Sequence, residues 1–177
     1  GLPKTIIVEV CNAVPRTFGG YHETIHISQV DYIVEGDHRP LIQLPNIPIT
    51  DVDNKVAELI VNEIPDGGCI QLGIGAMPNA IGALIAKSGL KDLGVHTEML
   101  VDSYVDMHEA GRITGKRKQI DKEKMVFTFA MGTKKLYDFM DDNPEIAMYP
   151  VDYTNNPWVI GQNDNVMAIN NAIEIDL

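Results

Sequence analysis

Glu98 closes the run Gly94-Val95-His96-Thr97-Glu98-Met99, at the carboxyl end of a stretch that reads as a strand. In open α/β sheets ligands bind at that edge. A carboxylate there, close to amide donors, has the chemistry of a general base or of a nucleophile that forms a covalent acyl intermediate. On position alone, the commoner role is a helix N-cap or a solvated surface acid. His96 alternates with Glu98 on one face of the strand and reads as structural.

The second candidate is Gly73-Ile74-Gly75-Ala76-Met77-Pro78, between the short buried strand Cys69 to Leu72 and a helix. Glycines let the backbone approach a ligand closely, and a helix start offers unpaired amides and the positive end of a dipole. Such a loop suits an anion or a developing oxyanion. It is not a dinucleotide fingerprint, because Pro78 replaces the third glycine and no acidic residue closes the following strand in the required way. It is not a P-loop, because Gly-Lys-Ser/Thr is absent. A plain tight turn is an equal alternative.

Two further clusters read as silent. His22-Glu23-Thr24-Ile25-His26 matches H-E-x-x-H, whose chemistry requires both histidines on one helix face. Gly19-Gly20 precede it, and Ile25 and Ile27 alternate as in a strand, so no residue is assigned to a metal. Arg112, Lys116, Arg117, Lys118, Lys122 and Lys124 crowd one segment of a chain with 14 basic residues. No aromatics interleave them, and a solvated loop or hairpin is the reading.

The elements that must position these groups follow from pattern. Thr5 to Cys11 reads as a strand, Asn12 to Gly20 as a loop, and Ile25, Ile27 and Tyr32 to Glu35 as short strands. His38 to Pro48, with Pro40, Pro45 and Pro48, reads as an extended linker and a boundary. Val52, Val56, Leu59, Ile60 and Ile64 then recur at helical spacing, with Asp51 as N-cap and Pro65 as stop. Helices over Asn79 to Lys87, Val101 to Ala110 and Lys134 to Met140 alternate with strands at Leu93 to Thr97, Met125 to Met131 and Ile146 to Tyr149. Val166 to Ile169 and Ala172 to Leu177 are strand-like. The alternation predicts an α/β fold: an open, mainly parallel sheet flanked by helices.

Composition narrows the function class. The 177 residues carry 14 Lys+Arg against 25 Asp+Glu, a net charge of −11. That argues against a nucleic-acid partner and against anionic membrane surfaces. No apolar run approaches the roughly 20 residues of a membrane span, and no signal peptide is visible, so a cytoplasmic protein is expected. Cys11 and Cys69 sit in apolar runs and read as two buried, reduced thiols. The chain begins Gly-Leu-Pro-Lys at a strand and stops within an apolar alternation, which reads as a piece of something longer.

At these residues the sequence resembles the acetyl-CoA hydrolase/transferase family, and within it the butyryl-CoA:acetate and 4-hydroxybutyrate CoA-transferases. The matching stretches are 52–81, 93–100, 127–139, 149–160 and 170–177, and earlier 6–10, Pro15-Arg16-Thr17 and 25–41. The resemblance covers essentially the whole chain in order. It implies a CoA-transferase (NagB/RpiA-like) type of sheet. Residues 1–50 would be the C-terminal tail of a first α/β domain plus linker, and 51–177 the larger part of a second.

The family's catalytic glutamate corresponds to Glu98, which would pass CoA between acids through a glutamyl-CoA thioester. Gly73, Ile74, Gly75, Ala76 and Met77 would bind CoA and stabilise the oxyanion, with Ile173 a weaker pocket residue. Coenzyme A or acyl-CoA enters as substrate, no cofactor is tightly bound, and a short-chain carboxylate is the partner substrate. A homo-oligomer, dimer or higher, is also implied. The alternatives are an acyl-CoA hydrolase on the same scaffold and a non-catalytic CoA-binding or interface module. The family's downstream glycine-rich CoA segment is missing, so the isolated piece is expected not to turn over.

Overall fold

The computed structural model describes residues 3–45, 47–172 and 176. The chain opens with β1 (Ile7–Val10) and β2 (Tyr32–Glu35), which pair in parallel as a small separate sheet. Between them, Ile27–Gln29 forms a 3-10 turn capped by His26, whose ring accepts from the Ser28 amide. The predicted strand at Ile25 and Ile27 is therefore absent. His22 has a positive φ of 62° and lies in a bend, so the two histidines of the H-E-x-x-H pattern share no helix face. Among the described residues, no three His, Cys, Asp or Glu side chains converge as a metal set.

The described residues of 36–49 form neither helix nor strand, as the prolines favour, but the segment is anchored. The Tyr137 hydroxyl donates to Ile42 O at 2.8 Å, the Lys134 amide donates to Gln43 Oε1 at 3.2 Å, and the Leu44 amide donates to Gly132 O at 3.0 Å. Then α1 (Asp51–Val61) begins, capped by Thr50 in a capping box with Asp53, one residue earlier than the expected Asp51 cap. Only part of the predicted apolar stripe turns inward. Ala57 and Ile64 are buried and Ile60 packs on the core, while Val52 and Leu59 face solvent.

The main unit follows as β3 (Cys69–Leu72), α2 (Ala76–Lys87), β4 (Gly94–His96), β5 (Met99–Leu100), α3 (Asp102–Glu109), β6 (Met125–Phe127), β7 (Phe129–Ala130), α4 (Lys134–Met140) and β8 (Ile146–Met148). The short helices α5 (Val151–Thr154) and α6 (Pro157–Ile160), which the sequence reading missed, precede β9 (Val166–Ile169). The expected single strand over Met125 to Met131 is broken at Thr128: β6 stays in the main sheet, whereas β7 leaves to pair with β5. The expected strand from Ala172 to Leu177 falls largely outside the described residues.

The five-stranded sheet is fully parallel, in the order β8-β6-β4-β3-β9. Register fixes two unlike faces, because paired residues in parallel strands point the same way. Ile70, Val95, Met125 and Ile146 align on one face and join Leu72 and Phe127 beneath α1 to α4 in a continuous apolar core. His96, Val126 and Ala147 align on the other, with Cys69 beside Gly94. That face is covered by α5 and by the basic segment before β6.

The basic segment is not simply a solvated loop. Lys118 is 2% exposed, and its ammonium donates to Val95 O at 3.0 Å and Lys124 O at 2.8 Å. Gly94 makes room for it, since a Cβ there would stand 2.6 Å from Lys118 Cγ. Of the two cysteines, Cys69 is buried as expected, and burial pushes its thiol up to about 11. Cys11 is only partly buried, a departure from the sequence reading.

Candidate functional site

The carboxyl edge of the sheet is where the main strands release their loops toward the helix starts. β9 returns to the far side of β3, so the strand order reverses next to the loop that leaves β3. Open α/β sheets bind ligands at such a reversal. There Gly75 lies beside Asn171, whose Nδ2 would stand 3.9 Å from a Cβ at Gly75. Gln71 and Asn170 exchange amide hydrogen bonds at 3.1 Å across β3 and β9.

Gly75 is the N-cap of α2 with φ of 121° and ψ of −175°, a conformation that strains any residue with a Cβ. It offers no side-chain acceptor to the helix, so the first amides of α2 keep their donors for a ligand. A Cβ on Gly73 would meet nothing within 4 Å, so that stretch faces open space. Ile74 is 47% exposed beside it. Ala76 and Met77 form the first turn of α2, with Met77 packing against the core.

Glu98 is exposed at the end of β4, the strand directly beside β3. The last β3–β4 pair is Ile70 with Val95, so Glu98 and Gly73 each follow their strand beyond the point where the two stop pairing. Its backbone is pinned: Glu98 O accepts from the Thr128 amide at 2.9 Å and the Phe129 amide at 3.2 Å. These bonds exist because the chain breaks at Thr128 between β6 and β7. The buried Thr97 hydroxyl donates to Met99 O at 3.0 Å, locking the turn on both sides of Glu98. Among the described residues, no side chain hydrogen-bonds the Glu98 carboxylate. A rigid backbone thus presents a carboxylate with free oxygens, the arrangement a nucleophile needs.

Within the strand itself, His96 is 4% exposed, and its Nε2 donates to Thr154 O at 2.8 Å. Burial, foremost, lowers its pKa, against the opposing pull of that hydrogen bond. It is a structural histidine, as the sequence indicated. Ile173 lies outside the described residues.

A cavity of about 640 Å³ lies beside this edge, under residues Leu44, Pro45, Ile47 and Ile49 of the extended segment. Ile74 and Gly75 reach it; Glu98 does not line it. Its ionic groups are already engaged. Asp102 accepts from the Thr133 amide and hydroxyl, and Lys135 bonds Asp106 and Glu109. The Glu98 carboxylate and the cavity are therefore separate features of this edge. Sequence reasoning missed Thr97, Tyr104, Thr128 and Asn171, whose roles depend on contacts distant along the chain. Only Asn170-Asn171, as a polar pair directly after a strand, carried a local signal.

The fold is an open parallel α/β sheet with an exposed acid, Glu98, beyond the carboxyl end of β4. Residues 132–177 match the family model described as acetyl-CoA hydrolase/transferase C-terminal domain. Over 98% of its length the chain is 52% identical to a probable butyrate:acetyl-CoA coenzyme A-transferase of Syntrophomonas wolfei. Over 97% it is 54% identical to the butyryl-CoA:acetate CoA-transferase of Anaerostipes caccae. The crystal structure of a 4-hydroxybutyrate CoA-transferase from Porphyromonas gingivalis superposes with a TM-score of 0.87 at 40% identity, over 97% of this chain and 42% of that one. The chain belongs to the acetyl-CoA hydrolase/transferase family. It spans about two fifths of the curated relatives' length, 39% of each.

Proposed function

We propose that this chain carries the nucleophile of a CoA-transferase that moves CoA between a short-chain acyl-CoA, butyryl or 4-hydroxybutyryl, and acetate. The observation that carries this reading is the placement of Glu98: an exposed carboxylate on a pinned turn, beyond the strand next to the one that leads into the glycine loop. A Glu98 oxygen attacks the thioester carbonyl, and the bond to sulfur breaks. CoA thiolate leaves, and an acyl-glutamyl anhydride remains. The thiolate then attacks the glutamyl carbonyl of the anhydride, releasing the acid as its carboxylate and forming glutamyl-CoA thioester. Acetate repeats the two steps in reverse, yielding acetyl-CoA and the free Glu98 carboxylate. A carboxylate nucleophile suits this sequence because the anhydride keeps the thioester's reactivity. Each tetrahedral intermediate carries an oxyanion, which the amides of Gly75, Ala76 and Met77 would stabilise.

In this reading CoA is a substrate rather than a resident cofactor. Residues 1–50 belong to the tail of a preceding α/β domain and 51–177 to most of a second. The working protein is a cytoplasmic homo-oligomer in short-chain fatty acid metabolism, and the isolated 177 residues do not turn over.

The test is made in the intact gene product. Glu98→Ala abolishes exchange of labelled acetate into acetyl-CoA, and the parent incubated with acyl-CoA gains a borohydride-sensitive CoA adduct mapping to Glu98 by mass spectrometry. Undiminished exchange in Glu98→Ala refutes the assignment. CoA release that continues without acetate would indicate hydrolysis instead.

A further inference from the structure

The β3–β4 ladder stops at Ile70 and Val95, although β3 runs on to Leu72. Beyond that point β4 turns off toward β5, and the two strands separate into a fork. One arm becomes the glycine loop and the other becomes Glu98. The Leu72 amide, at the mouth of this fork, donates to the Tyr104 hydroxyl oxygen at 2.7 Å. Tyr104 is completely buried on α3, the helix that follows the Glu98 turn. The Glu98 turn that leads into α3 is closed separately by the Thr97 hydroxyl, which donates to Met99 O at 3.0 Å. One buried hydroxyl therefore joins the last residue of β3 to the helix that follows the Glu98 turn.

A core position that needed only volume would be served equally by phenylalanine. The hydroxyl is buried in a dry fork, where leaving an amide unpaired is costly, so its placement needs a reason beyond packing. The fork supplies one. Its opening sets how far the α2 amides lie from the Glu98 carboxylate, and the transition state requires both on one carbonyl group.

We propose that Tyr104 is a positioning residue: its hydroxyl ties the end of β3 to α3, the helix that the Glu98 turn leads into, and so fixes the Glu98 carboxylate relative to the Gly73–Gly75 loop. This rests on the CoA-transfer reading above. Tyr104 touches neither substrate nor Glu98. Its effect falls on the chemical steps rather than on CoA affinity, which the loop and the rest of the protein provide. Displacing reacting groups by about 1 Å costs on the order of 100-fold in rate.

The test uses Tyr104→Phe in the intact gene product. The expected result is a kcat for transfer lowered about 10- to 100-fold, with KM for acyl-CoA within about twofold. Single-turnover formation of the borohydride-sensitive Glu98 adduct slows in parallel. A kcat within about threefold of the parent overturns the proposal, as does a loss matched by an equal rise in KM or by an equal loss of folded protein in circular dichroism. If Tyr104→Phe does not fold, Tyr104→Met carries the test: it removes the same hydroxyl while its flexible side chain adapts to the buried site. The same split is expected there, and an unchanged kcat overturns the proposal equally. Glu98→Gln, assayed alongside, separates the two ideas. If Glu98→Gln retains transfer, the nucleophile reading itself fails. If Glu98→Gln is inactive and Tyr104→Phe runs at the parental rate, only the positioning role fails.

Discussion

The two faces of the five-stranded sheet are built on different principles. On the helical face Ile70, Leu72, Val95, Met125, Phe127 and Ile146 pack beneath four helices, and hydrophobic burial holds them. On the opposite face a buried lysine ammonium and a buried histidine lie against the sheet, with two half-buried tyrosines stacked at 4.4 Å beside them. Asp121 accepts from both tyrosines, Tyr153 at 2.7 Å and Tyr149 at 3.1 Å. Burial, reinforced by Asp121, pushes the Tyr149 hydroxyl up to about 12. Among the described residues His96 Nδ1 and Thr154 Oγ1 have no partner there. The difference separates stability that comes from area from stability that comes from a few directional bonds. Both faces then converge on the carboxyl edge, where the Thr97 hydroxyl closes the turn that carries Glu98.

The sharpest way to break this contrast is to truncate one residue on each face. Phe127 is fully buried under the helices, so Phe127→Ala should cost about 3–5 kcal/mol through lost transfer energy and a cavity. Urea unfolding of the intact protein measures it, and a loss below about 1 kcal/mol would mean the helical face is not the main core. Lys118→Met keeps the buried stem and deletes only the ammonium. It leaves Val95 O and Lys124 O without their donor. The expected cost is about 1–3 kcal/mol, offset in part because the charge no longer has to be buried. Equal losses from the two variants would erase the distinction between the faces.

The same contrast explains what the sequence made legible. The helical face follows periodicity, and the strands at Cys69 to Leu72, Ile146 and Val166 and the helices at Lys134 and Asp102 come directly from it. The carboxyl-edge placement of Glu98 and of the glycine loop follows from strand–helix alternation alone. What stayed hidden depends on partners far along the chain. Lys118 sits among five other basic residues and reads as solvated, because nothing local signals that Gly94, twenty-four residues earlier, leaves a slot for its stem. The run Met125 to Met131 is apolar throughout, so no pattern reveals that Thr128 divides it between two sheets. The α5 and α6 turns are four residues each, too short for a period to register. Tyr104 reads as one more apolar helix residue until the Leu72 amide is found against its hydroxyl.

A smaller effect would sharpen the contrast further, because only one face should respond to mild acid. His96 is packed against Tyr153, with ring centroids 6.4 Å apart, and feels Lys118 and Asp121 from the covering segment. Its pKa in the fold lies below the ordinary value of about 6.5, with burial the largest cause. Between those two values the unfolded chain binds a proton that the folded chain refuses. Stability therefore rises with pH across that window, is complete above about pH 6.5 and is lost as the pH falls below it. His96→Gln retains an N–H for Thr154 O and removes the titration. On passing from about pH 7.5 to about pH 5, the parent's urea midpoint should fall further than that of His96→Gln. Parallel falls in the two proteins would place the acid sensitivity elsewhere and leave the histidine a packing group, no different in kind from the apolar residues across the sheet.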